Sequence, residues 1–181
     1  IINNEDELIS GSSDTSIIIW DLYEKKCKMT LNGHESAVTA LIINKKNELI
    51  SGSENLEIII WNMKTWQLVR ILKGPEREIK IPDEYLNYKK NLLILNNENE
   101  LISESDDNTI MIWNMNTEVS TKTLKGHLNL VTSLVINNEN ELISGSEDKT
   151  IIFWDMKTGK RVKTFECEFR INFLLINKVR N

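Results

Sequence analysis

Apolar and polar residues alternate along this chain in short blocks, and none of them keeps the roughly 3.6-residue spacing of an amphipathic helix for long. Near the C-terminal end the blocks are easiest to read. Val131–Ile136 is apolar and β-branched, Asn137-Asn138-Glu139-Asn140 is a polar turn, and Glu141–Ser146 is a second strand. A turn at Glu147-Asp148-Lys149 leads into Thr150–Trp154, Asp155–Lys160 turns again with Thr158-Gly159 at its tip, and Arg161–Phe165 makes a fourth strand. Ile17-Ile18-Ile19-Trp20 and Ile58-Ile59-Ile60-Trp61 are apolar at successive positions, the pattern of strands covered on both faces.

The same blocks recur. Glu-Leu-Ile-Ser begins at Glu7, Glu48, Glu100 and Glu141, and ten residues beyond each Ser stands a Trp: Ser10 to Trp20, Ser51 to Trp61, Ser103 to Trp113, Ser144 to Trp154. Successive Trp residues lie 41, 52 and 41 positions apart, and Trp66 stands outside the series. A period near 41 with one insertion of 11 divides the chain into units of approximately 1–43, 44–95, 96–136 and 137–177. Aligning Asn91–Leu95 with Thr132–Ile136 confines the extra residues to about 76–90, a charged segment that carries Tyr85 and Tyr88.

Four short strands in each period of about 40 residues make one blade of a β-propeller. The last unit reads Gly126-His127, then Leu142-Ile143-Ser144-Gly145-Ser146-Glu147-Asp148-Lys149-Thr150-Ile151-Ile152-Phe153-Trp154-Asp155. With its Gly-His opening and Trp-Asp ending it closely resembles the WD-repeat family. The resemblance implies an all-β fold of blades of four antiparallel strands, about four WD repeats, forming a segment of a larger, seven-bladed type of propeller. It also implies that a His, a Ser or Thr, an Asp and the Trp of each blade are hydrogen-bonded in series. His127, Ser144, Asp148 and Trp154 make a full set; His34, Ser51 and Trp61 make another in which Asn55 replaces the Asp. Ser103, Asp107 and Trp113 lack the His, because Gly74-Pro75 stands in its place, and Ser10, Asp14 and Trp20 have no Gly-His ahead of them. The unit with Asn55 is expected to be weaker for want of the charge. Ile1–Asn4 matches Val135–Asn138, the end of an innermost strand, and Phe169–Asn177 matches Leu128–Asn137 with one residue lost.

Charge and composition narrow the function. A net charge of −5 argues against a nucleic-acid binder, and no apolar run approaches the roughly 20 residues of a membrane-spanning helix. Cys27 and Cys167 form no paired motif, which points to a reducing, intracellular location, cytoplasmic or nuclear. Ser144, His127 and Asp148 have the residue types of a hydrolase triad, but Trp154 completes a structural set around them. Both histidines are used in this way, so none remains for acid–base chemistry or metal binding, and no cofactor motif is present.

The reading that follows is a non-catalytic scaffold for protein–protein interactions, with proteins or peptides as partners, docking on the face called the top in this family. Glu35, Glu54, Asp106 and Glu147, the apolar Leu128 and Leu130, Tyr85 and Tyr88 of the insertion, and the turn residue Trp66 are the expected contacts, with a weak preference for basic partners. The alternatives are the propeller region of a larger catalytic or ubiquitin-ligase-adaptor protein, and a propeller hydrolase. An isolated stretch of four repeats is also expected to self-associate through uncovered apolar faces.

Overall fold

Each of the repeats folds as an antiparallel meander whose strands pair in chain order. The computed structural model describes residues 1–55, 57–72, 92–105, 107–117 and 119–176. Gly74-Pro75, the 76–90 insertion with Tyr85 and Tyr88, and Asp106 therefore lie outside the described residues. Among the described residues there are strands and turns and no helix. The strands are β1 (Glu7–Gly11), β2 (Ile17–Asp21), β3 (Lys26–Leu31), β4 (Val38–Ile43), β5 (Glu48–Ser53), β6 (Ile58–Asn62) and β7 (Gln67–Leu72). They continue with β8 (Leu93–Leu95), β9 (Glu100–Glu104), β10 (Ile110–Asn114), β11 (Val119–Leu124), β12 (Val131–Ile136), β13 (Leu142–Ser146), β14 (Thr150–Asp155) and β15 (Lys160–Glu166).

The chain divides into two compact units, Ile1–Asn91 and Leu92–Asn181. The first holds a three-stranded sheet, β1-β2-β3, and a four-stranded sheet, β4-β5-β6-β7. Between them lies a core of Ile9, Ile17, Ile19, Leu31, Val38, Leu49, Ile59, Trp61 and Met63, against which Trp66 and Met29 also pack. The second unit pairs the β8-β9-β10-β11 sheet with the β12-β13-β14-β15 sheet around Ile102, Ile110, Ile112, Leu124, Val131, Leu134, Leu142, Ile152, Trp154 and Met156. Each such buried Ile or Leu contributes on the order of 1.5–3 kcal/mol from removal of its side chain from water.

The repeated residues meet at fixed register. The Leu of every Glu-Leu-Ile-Ser lies opposite the Trp of the next strand: Leu8 and Trp20, Leu49 and Trp61, Leu101 and Trp113, Leu142 and Trp154. On its other side each Trp begins a register shift, so the outermost strand carries a bulge at the same place in all four sheets. Ile58 to Trp61 is buried at every position, as its apolar run requires, whereas Ile18 and Trp20 of β2 are only half-buried. The expectation that Ile17–Trp20 is covered on both faces is thus corrected: among the described residues its sheet is fully covered on one face only.

In the first sheet the innermost position is held by Ile1-Ile2, which exchanges hydrogen bonds with Ile9 (2.8 and 2.9 Å) and bridges Leu8. Residues 171–176 form no ladder, yet they are seated where an innermost strand begins. Ile171 N–H donates to the Ser146 carbonyl at 3.0 Å, as Val38 N–H donates to the Ser12 carbonyl at 3.0 Å. Leu174 N–H then donates to Ser133 Oγ at 2.7 Å.

Candidate functional site

Between β11 and β12 the chain passes over the indole of Trp154 at Gly126, where a Cβ would come within 2.9 Å of the ring. Only glycine permits that approach, and it brings the next residue, His127, into the interior. Trp154 Nε1–H donates to Ser144 Oγ (2.8 Å), Ser144 Oγ meets His127 Nε2 (2.7 Å), and His127 Nδ1 meets Asp148 Oδ2 (2.9 Å). The Asp148 carboxylate can only accept, so the imidazole proton sits on Nδ1, facing it, and the serine hydroxyl, which accepts from the indole, donates to the unprotonated Nε2. Burial lowers the pKa of His127 against the opposing pull of Asp148, which fits this neutral ring. Burial also pushes Asp148 up, but the Thr150 hydroxyl, the Leu128 N–H, His127 and the Thr150 N–H outweigh it and hold the carboxyl down at about 2.

The second sheet repeats half of this arrangement. Gly33 passes over Trp61 just as closely, Trp61 Nε1–H donates to Ser51 Oγ (2.8 Å), and Ser51 Oγ meets His34 Nε2 (2.6 Å). The expected stand-in, Asn55, does not reach the imidazole. Its Oδ1 instead accepts from Ser53 Oγ and from Glu57 N–H. The Glu57 carboxylate lies 3.6 Å from His34 Nδ1. Burial pushes His34 down to about 4.

For the other two indoles the series reaches only the Ser among the described residues. Trp20 donates to Ser10 and Trp113 to Ser103, both at 2.9 Å. Asp14 and Asp107 bind their own turns, accepting from the hydroxyls of Ser16 (2.6 Å) and Thr109 (2.5 Å).

At the opposite ends of the sheets lies a second recurring arrangement that the sequence reading missed. Asn3, Asn44, Asn96 and Asn137 each accept the backbone N–H of the Glu four residues on, at 2.9 Å in every case. Each Asn Nδ2 returns a bond to that same Glu side chain, at 2.6 to 2.7 Å. The residue before the Glu has φ between 55° and 60°, and three of the four are Asn, which tolerates that conformation better than most side chains. Glu7 further binds Lys28, and Glu48 meets Arg70 at 3.4 Å, tying the outermost strand into the clasp. The signal was the Asn-x-x-x-Glu spacing ahead of every Leu-Ile-Ser.

The family model for the WD domain, G-beta repeat, matches residues 25–62 and 118–155. These two stretches are WD repeats. The two matched WD repeats are the ones that contain His34 and His127, and each match closes just after the buried Trp. No curated protein matches the chain.

The expected WD top-face residues are placed as follows. In the second unit Leu128 is 87% exposed, Leu130 is half-buried with its carbonyl accepting from Glu147 N–H, and Glu147 itself meets Arg170 at 3.7 Å. In the first unit Glu35, which follows the Gly-His as Leu128 does, is exposed, and Glu54 is half-buried. Trp66 is half-buried on the core of its unit at φ 56°, in the turn position where Gly159 has φ 70°. No group of three or more His, Cys, Asp or Glu residues that could hold a metal is found among the described residues.

Proposed function

We propose that this chain is a non-catalytic scaffold whose WD repeats present their leading loops and turns to other proteins. The observation that carries the reading is the consumption of both histidines in buried hydrogen-bonded series. Ser144 and Ser51 are wholly buried, and each is occupied by an indole on one side and an imidazole on the other. A hydroxyl so placed has no access to a substrate, which speaks against the hydrolase reading. What the series does is fix loops. Such fixed loops dock a partner without losing freedom on binding.

Glu35, Glu54, Asp106 and Glu147 favour a partner surface bearing Lys or Arg, and Leu128 supplies an apolar contact. The free thiols of Cys27 and Cys167 suit a location inside the cell. Charge reversal at Glu35, Glu54 and Asp106 together tests the reading. Glu147 is left out because it already engages Arg170. Partners captured from cell extract by the wild-type chain should be lost by the triple variant while its circular dichroism is unchanged. An unchanged set of partners would place the binding surface elsewhere, and hydrolytic turnover abolished by Ser144→Ala would restore the enzyme reading.

A further inference from the structure

We propose that Glu57 performs in the second sheet the task of Asp148 in the last, orienting the His34 imidazole from a position two residues further along the turn. Asn55 occupies the sequence position of Asp148, and Glu57 that of Thr150. In the last sheet the Thr150 hydroxyl already reaches the ring, lying 3.1 Å from His127 Nδ1. That position therefore faces the same imidazole nitrogen, and a carboxylate placed there can arrive beside Nδ1. Glu57 does so: its carboxylate lies 3.6 Å from His34 Nδ1, with the two side chains 10% and 0% exposed.

The exchange is paired. Where the turn carries Asp14, Asp107 or Asp148, the residue two beyond it is Ser16, Thr109 or Thr150, whose hydroxyl binds that Asp. Where the turn carries Asn55, the residue two beyond it is acidic. One carboxylate is thus kept between these two positions of each turn, and Asn55 is released to bind Ser53 and the Glu57 N–H. The longer Glu side chain stops short of hydrogen-bonding distance, and His34 Nδ1 makes no hydrogen bond among the described residues. The contact is looser than the 2.9 Å bond of the last sheet.

The test is a double-mutant cycle read at one indole. Glu57→Gln should speed exchange of the Trp61 indole N–H by about tenfold, and most of that effect should vanish in a His34→Gln background. The imidazole nitrogen spectrum gives a readout that general loosening does not move. Wild-type His34 should carry its proton on Nδ1, and Glu57→Gln should shift that balance. Rebuilding the last sheet's pattern with Asn55→Asp plus Glu57→Thr should restore Trp61 protection to the wild-type level or above it. Additive effects of Glu57→Gln and His34→Gln, or a nitrogen spectrum indifferent to Glu57, would overturn the assignment.

Discussion

Leu128 N–H donates to Asp148 Oδ2 at 2.8 Å, so a leucine that is 87% exposed is fastened by its backbone to a largely buried carboxylate. The same carboxylate oxygen accepts from His127, which links the loop to Ser144 and Trp154 behind it. Surface and interior are therefore coupled at this one oxygen. Asp148→Ala should destabilise the second unit by about 1–3 kcal/mol, since it strands His127 and the Leu128 N–H together. Denaturant unfolding measures the loss, and partner capture through Leu128 should fall even in conditions where the variant remains folded.

Acid should act most strongly on the second sheet, while the lowered pKa of His127 draws on the last sheet from the same starting point. His34 is pushed from its usual 6.5 to about 4 in the folded chain, so the native state binds fewer protons than the unfolded one at intermediate pH. Its contribution is present in full above pH 6.5 and is lost as pH falls from there toward 4, amounting to about 2–3 kcal/mol. His127, also lowered, adds to this loss, and Asp148, held at about 2 against an ordinary 3.8, adds a further one only between those values. Stability followed by denaturant midpoint should decline below pH 6.5, and His34→Gln should flatten that part of the curve.

The four paired indoles should rank by how far their hydrogen-bonded series extends. Trp154, with Ser144, His127 and Asp148 all engaged, should exchange most slowly. Trp61 should follow, and Trp113, whose series ends at Ser103, should come third. Trp20 ends at Ser10 and is only half-buried, so it should exchange fastest. Resolved indole signals in exchange NMR give the order directly, and Trp20 outlasting Trp154 would contradict it.

Trp66 gives a prediction of unusual sign. Its φ of 56° belongs to the left-handed region, where a side chain is disfavoured by about 1–2 kcal/mol and glycine is not. Both Trp66→Ala and Trp66→Gly lose the contact with the core, but only the glycine also relieves the backbone. Trp66→Gly should therefore be more stable than Trp66→Ala by about 1 kcal/mol in thermal or urea unfolding.

The Asn-to-Glu clasps can be tested at Asn44. Asn44→Ala removes the acceptor for two backbone N–H groups and the donor to Glu48, and should cost about 1–2 kcal/mol. Asn44→Asp keeps the acceptor but sets a carboxylate against Glu48. It should therefore recover stability relative to Asn44→Ala only at acidic pH, once either group is protonated. Urea midpoints of the two variants at neutral and acidic pH decide it.

The strands and their order were legible because each repeat says the same thing four times. Ser and Trp ten residues apart fall on adjacent strands of one hairpin as diagonal neighbours on the same face, close enough for the indole to reach the hydroxyl. The His127 set was legible because it is complete. The blade with Asn55 misled, since alignment by position assumes that a task stays with a column, whereas a longer side chain two residues on can reach the same atom. The bulge at each Trp left no trace in the hydrophobic pattern, because an added residue on an exposed outer strand alters no buried position. The clasps were hidden in plain polar turns, where Asn and Glu are expected for solubility alone.

Those clasps bear on how such a chain changes over generations. Every repeat closes its own turn with its own Asn and Glu, and places its Ser and Trp at the same separation. A recombination between any two of the Glu-Leu-Ile-Ser segments would rejoin one strand to its equivalent, with the local bonds of both partners intact. Repeats of this kind can be gained or lost by unequal crossing-over without a new junction having to be invented, and the number of blades becomes a quantity that heredity can adjust in whole steps.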